Sequence, residues 1–209
     1  MLDLGLDTFE DLVDLCRDRR RDIPARVRAC FLLGQLRCPE ALNPLLAVAV
    51  EEEQPELVWE TLSAIGAIGS LRATRPLLRL LRSTRVGVKR RGAVFALMQL
   101  ADERARQTLA RIVGDRREEE KTRGLAAEAL GFLRSVRRSN DALIAVLRDP
   151  SAEVRLSALC ALDALHDTSA TGSILPLLGD SALADGGESI AERAALVLLS
   201  LGDTSGSAS

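Results

Sequence analysis

The 209-residue chain is short of the side chains that perform most catalysis and most base recognition: it has one histidine, no tyrosine, one tryptophan and four phenylalanines. So few imidazoles and aromatic faces leave little for acid–base chemistry or for stacking on nucleobases. Long apolar runs are also missing. The longest near-apolar stretch, Ala41–Val50, is broken by Asn43 and Pro44 and falls well short of the ~20 residues that span a bilayer. The first seven residues carry two aspartates and no basic side chain, whereas a secretory signal opens with basic residues and ends in a small-residue cleavage site. Cys16, Cys30, Cys38 and Cys160 show no CxxC spacing, so no disulfide framework or zinc site is indicated. They read as core residues of a cytoplasmic protein, and neither chelator nor reductant is expected to change its stability. Phosphate-cradling glycine fingerprints are absent too.

What is present is a repeat. Arg28-Ala29-Cys30-Phe31-Leu32-Leu33-Gly34 recurs as Glu60-Thr61-Leu62-Ser63-Ala64-Ile65-Gly66 and as Gly92-Ala93-Val94-Phe95-Ala96-Leu97-Met98. Further copies end at Gly131 and Asp163, and a degenerate one at Ser200. The intervals between these anchors are 32, 32, 33, 32 and 37 residues, a register that chance does not hold. Before each anchor, apolar and small residues fall at i, i+1, i+3 and i+4. After it come pairs such as Leu45-Leu46 with Val48-Ala49, and Leu77-Leu78 with Leu80-Leu81. Ala41, Ala73, Ala105 and Ala170 recur seven residues after their anchors, with Arg138 in the fourth copy. The unit is helix–turn–helix, and neither helix can hide its stripe alone, so neighbours must stack.

These residues resemble HEAT repeats, in particular the short PBS-lyase HEAT-like repeats of bacterial and archaeal proteins. Val154-Arg155 before Ser157–Leu162, and Thr122-Arg123 before Ala126–Gly131, carry the likeness best; Arg26 and Arg90 also occupy the arginine position. The resemblance implies an all-α, right-handed α-solenoid of about six helical hairpins and roughly 12 helices. On this reading residues 1–21 form a capping helix, centred on Thr8–Arg20. Residues 22–202 are the array, with repeats at about 22–53, 54–83, 84–116, 117–149, 150–180 and 181–202, and 203–209 are a flexible polar tail. Gly186-Gly187 reads as a flexible turn in the insertion that lengthens the last interval.

The same likeness raises enzymatic precedents that the residues do not support. A HEAT-repeat iron hydroxylase needs several His-Glu pairs, but here His166 is followed by Asp167; it reads as a residue at a helix C-terminus. Bilin-lyase chemistry has no Cys-His pair to rest on, and one tryptophan, Trp59, makes no base-flipping pocket. Trp59 is either packed on the convex side or an interface anchor. Charge is the more informative feature. Residues 1–71 carry 7 basic and 13 acidic side chains, residues 72–148 carry 19 and 8, and residues 149–209 carry 2 and 9. In a stack this places a basic middle between acidic ends.

The expected function is a non-catalytic protein-interaction scaffold or adaptor binding an acidic partner through the concave, basic middle repeats. A nucleic-acid-binding array using the same surface is the alternative, and a bilin-lyase-type enzyme or subunit the third. The expected site comprises Arg75, Arg79, Arg82, Arg104 and Arg111, with Trp59 as a possible anchor. Arg75, Arg79 and Arg82 share a helix face at i, i+4 and i+7, with Arg104 and Arg106 widening it, and guanidinium groups pair well with carboxylates. Glu51-Glu52-Glu53 and Glu118-Glu119-Glu120 read as solvated loops that could also pair with nearby arginines. No catalytic residue, metal, cofactor, small-molecule substrate or membrane contact is expected.

Overall fold

The computed structural model describes residues 8–133 and 140–203. Arg138 and residues 204–209 of the expected tail therefore lie outside the described part. The chain divides into two compact units, Met1–Asp102 and Glu103–Ser209. Both are helical; among the described residues the one β-type pairing is an isolated bridge between Leu183 and Ser189.

In the first unit a single helix, α1 (Phe9–Arg17), precedes two hairpins, α2 (Ile23–Leu36) with α3 (Leu42–Glu51) and α4 (Pro55–Ile68) with α5 (Thr74–Ser83). The unit ends on α6 (Gly87–Leu100). Thr8 and Asp11 close a reciprocal capping box at the start of α1, satisfying amides that the helix itself leaves unpaired. The helix stops at Arg17 rather than continuing to Arg20, because Asp18 takes an extended conformation and accepts from the amide and guanidinium of Arg20. First helices pack on first helices, α2 on α4 and α4 on α6.

The anchor glycines explain how closely they approach. A Cβ built on Gly34 would lie 2.8 Å from the Cα of Ala64, and one on Gly66 3.0 Å from the Cα of Ala96. The glycine near the end of one helix is a notch for the alanine of the next. Ala41 and Ala73 close 3-10 turns leading into α3 and α5, and both are fully buried.

The second unit holds α7 (Arg106–Gly114), α8 (Glu120–Gly131), α9 (Asp141–Val146), α10 (Ala152–Ala164), α11 (Thr171–Ile174) and α12 (Ile190–Asp203). Here α8 packs on α10 and α10 on α12, and Gly131 repeats the notch, its added Cβ falling 2.9 Å from the Cα of Ala161. Ala129, Leu130, Ala161 and Leu162 are buried at these crossings. After α12 no second helix follows among the described residues. Gly186 and Gly187 both take positive φ in the turn before α12, where a Cβ would be strained.

Buried arginines tie successive repeats together. Arg26 donates from Nε to the carbonyl of Cys16 and pairs with Glu52 at 2.8 Å. Arg123 grips both oxygens of Asp149, and Arg155 reaches Asp180 at 2.8 Å while donating to the carbonyl of Asp149. Arg90 donates to the carbonyls of Leu81 and Thr84 behind α5. An arginine early in a first helix thus satisfies carbonyls left open where a helix ends. Burial alone would push the Glu52 carboxyl up; the amides of Glu53 and Gln54 and the Arg26 guanidinium outweigh it and hold the group below its ordinary value.

A candidate partner-binding surface on the second helices

The sequence of α5, Thr-Arg-Pro-Leu-Leu-Arg-Leu-Leu-Arg-Ser, alternates two faces with little mixing. Leu77, Leu78, Leu80 and Leu81 are buried, and Arg75, Arg79 and Arg82 are exposed. Proline is tolerated at the third position of α5 because the first turn leaves its amide without an intrahelical acceptor. Among the described residues, none of Arg75, Arg79 and Arg82 makes an ion pair or a side-chain hydrogen bond. Arg72 and Arg85 flank the helix, equally exposed.

This arginine face borders an apolar cleft of about 790 Å³ between α3 and α5. Leu46, Ala47 and Val50 line it from α3, and Pro76, Arg79, Leu80 and Arg82 from α5. Val50 is 60% exposed there. The floor is fixed from below, since buried Lys89 of α6 donates from Nζ to the Val50 carbonyl at 2.6 Å and closes the end of α3. The cleft was not foreseen from the sequence, although Leu46 and Val50, one turn apart beside the buried Leu45 and Ala49, carried the signal.

Arg104 and Arg111 belong to the second unit. Arg104 is exposed in the turn Glu103–Ala105, and Arg111 is exposed on α7 with Nε donating to the carbonyl of Gln107 at 3.3 Å. Arg106 does not widen any surface. It is buried, pairs with Glu103 at 2.8 Å and donates to the carbonyl of Leu133 at 2.6 Å. It holds a position equivalent to Thr74, whose hydroxyl donates to Asp102 at 2.6 Å.

Trp59 is half-buried in the row of first helices, stacked on Phe95 of α6 with ring centroids 5.2 Å apart and the guanidinium of Arg91 5.8 Å above it. It joins that aromatic stack rather than the arginines of α5. The run Glu51-Glu52-Glu53 is also partly tied up, Glu51 with Arg19 at 3.3 Å and Glu52 with Arg26.

No group of three His, Cys, Asp or Glu that could hold a metal occurs among the described residues. His166 follows α10 with φ of 50°, the repeat position held by Gly69 at 74°. It serves as a left-handed helix stop. Cys160 borders a second, smaller cleft with Glu128 and Phe132, and burial pushes its thiol up, opposite to the activation a nucleophile requires. None of the helices among the described residues is long and apolar enough to cross a membrane.

These features define an α-solenoid of short helical repeats. A family model described as HEAT repeats matches residues 9–98 and 86–162, and the chain belongs to the HEAT-repeat family. No curated protein matches it. Among solved structures it is similar to the complex of CpcE and CpcF of phycocyanin lyase from Nostoc sp. PCC7120. The TM-score is 0.62 and the identity 21%, over 85% of this chain and 73% of that one. It is also similar to an engineered protein, with a TM-score of 0.59 and 19% identity over 95% and 98% of the two chains. At these identities the likeness concerns the fold.

Proposed function

We propose that the chain is a protein-interaction scaffold that binds an acidic segment of another protein on the exposed face of α5 and in the adjoining cleft. The observation that carries this reading is the set Arg75, Arg79 and Arg82, exposed on one face without ion pairs beside an apolar groove. Unpaired guanidinium groups on a rigid helix supply planar donors for carboxylates without first breaking internal contacts. The groove offers burial for an apolar side chain of the same segment. Scarce aromatics favour a protein partner over a nucleic acid.

The test is capture from native lysate by the wild-type chain and by Arg75→Glu/Arg79→Glu/Arg82→Glu. The triple variant is expected to melt like the wild type and to lose at least one captured protein that an acidic-to-basic change in that protein restores. Undiminished capture with an unchanged melting curve would remove this surface from consideration. A duplex DNA probe, bound by the wild type and lost in the variant, would favour the nucleic-acid alternative. The phycocyanin-lyase neighbour motivates a second reading, a lyase subunit, which an assay for chromophore attachment to a phycocyanin subunit addresses directly.

A further inference from the structure

We propose that Cys16 and Cys30 are an oxidisable pair that closes a disulfide between α1 and the first repeat. Their Sγ atoms lie 2.9 Å apart and both side chains are fully buried. Cys16 is the penultimate residue of α1 and Cys30 stands in the middle of α2. The register between them is gripped at a second point. Arg26, one turn before Cys30, donates from Nε to the Cys16 carbonyl at 3.1 Å, so one face of α2 holds both the backbone and the side chain of Cys16. Closing to a disulfide of about 2.0 Å asks each sulfur to move roughly 0.4 Å, well within side-chain adjustment.

The two sulfurs are not equivalent. Cys30 shares a hydrogen bond with Cys16 in which either sulfur can donate, has the Thr61 hydroxyl 3.4 Å from its sulfur and feels the charge of Arg26. The Cys16 hydrogen bond lowers its thiol first, against the opposing pull of desolvation. Cys16 is pushed up by the same bond and by burial. Cys30 is therefore the better nucleophile of the pair.

With a hydroperoxide as oxidant, the Cys30 thiolate attacks one peroxide oxygen. An S–O bond forms, the O–O bond breaks and hydroxide leaves, taking a proton to become water. The Cys16 sulfur then attacks the Cys30 sulfenic acid; an S–S bond forms, the S–O bond breaks, and the hydroxyl leaves with the Cys16 proton as a second water. Two thiols and one hydrogen peroxide give one disulfide and two waters. Access comes from local opening of α1, a nine-residue helix of the kind that opens at a fraction of the global unfolding free energy.

The product would staple the cap helix to the repeats, so that α1 could no longer lift from α2 and α3. The other two cysteines, Cys38 and Cys160, are half-buried and serve as internal controls.

The experiment treats the reduced full chain with hydrogen peroxide, blocks remaining thiols with iodoacetamide after unfolding, and maps the peptides. The expected result is a linked peptide pair containing Cys16 and Cys30, with loss of two hydrogens and two fewer alkylated sites. It is accompanied by a rise in Tm of about 5 °C or more that dithiothreitol reverses. Cys38→Ala/Cys160→Ala should retain the link, and Cys30→Ala should lose it. If the single variant does not fold, the double variant still decides, because it contains only the proposed pair. Cys16 and Cys30 remaining alkylatable while Cys38 or Cys160 is oxidised would overturn the proposal.

Discussion

Proline makes the two units comparable residue by residue. Pro44 and Pro76 stand ten residues after their anchors, at the third position of α3 and α5, and both helices run for 10 residues. Pro176 stands thirteen residues after its anchor, Asp163, three places deeper into the second helix. There α11 lasts 4 residues and gives way to the 3-10 segment Leu175–Gly179. The same residue is harmless where the first turn has no acceptor for its amide, and breaks the helix one turn later, where that hydrogen bond is needed. Thr171, Gly172 and Ser173 add weak helix propensity. The consequence is visible in burial. Leu78 and Leu81 are buried on α5, whereas their counterparts Leu175 and Leu178, on the 3-10 segment, are about half exposed.

That contrast fixes the largest expected effect. Leu78→Ala should cost roughly 2–5 kcal/mol, as for other large-to-small changes in packed cores. Leu175→Ala should fall within about 0.5 kcal/mol of the parent, like other exposed substitutions. Chemical denaturation of both variants measures the difference, and equal losses would mean that the two second helices pack alike after all.

A smaller effect should be shared by the two units. Gly34→Ala and Gly131→Ala put a methyl against the backbone of Ala64 and Ala161, and each should lose about 1–3 kcal/mol by overpacking. A loss in one unit only would show that the crossings are not the same joint.

The smallest change has the opposite sign. Arg37 and His166 end their helices at φ of 51° and 50°, where a side chain is disfavoured. Arg37→Gly in the first unit and His166→Gly in the second should each stabilise by about 0.5–1 kcal/mol. A lower Tm for either variant would show that its side chain contributes more than its backbone strain costs.

Much of this architecture is legible in the chain because it is periodic. Anchor spacing located the first helices, the leucine pairs located the second, and the recurring alanines marked the turns. Those features are local and repeated, so six imperfect copies average out the noise of any one. Contacts made once are different in kind. That Cys16 meets Cys30 depends on how a single cap helix docks, and no periodicity reports it; two cysteines without CxxC spacing therefore read as unrelated. Arg106 and Arg75 looked alike in composition and local pattern, yet one is buried and the other exposed. The distinguishing signal was position within the repeat, since Arg106 falls where the second repeat has Thr74, a residue that reaches into the next repeat's loop. The cleft between α3 and α5 was hidden for a similar reason. It exists because first helices touch closely while the second helices beside them do not, a difference of spacing that no single segment encodes.

The notch between anchor glycine and alanine also bears on how such chains change length. Gly34 receives Ala64, and Gly66 receives Ala96, through the same small-residue contact. Removing residues 35–66 in frame would leave Gly34 facing the alanine that Gly66 now meets, with an identical joint. Gain or loss of whole repeats by genetic duplication or deletion therefore requires no compensating change at the seam, whereas an insertion of any other length shifts every later alanine off its glycine.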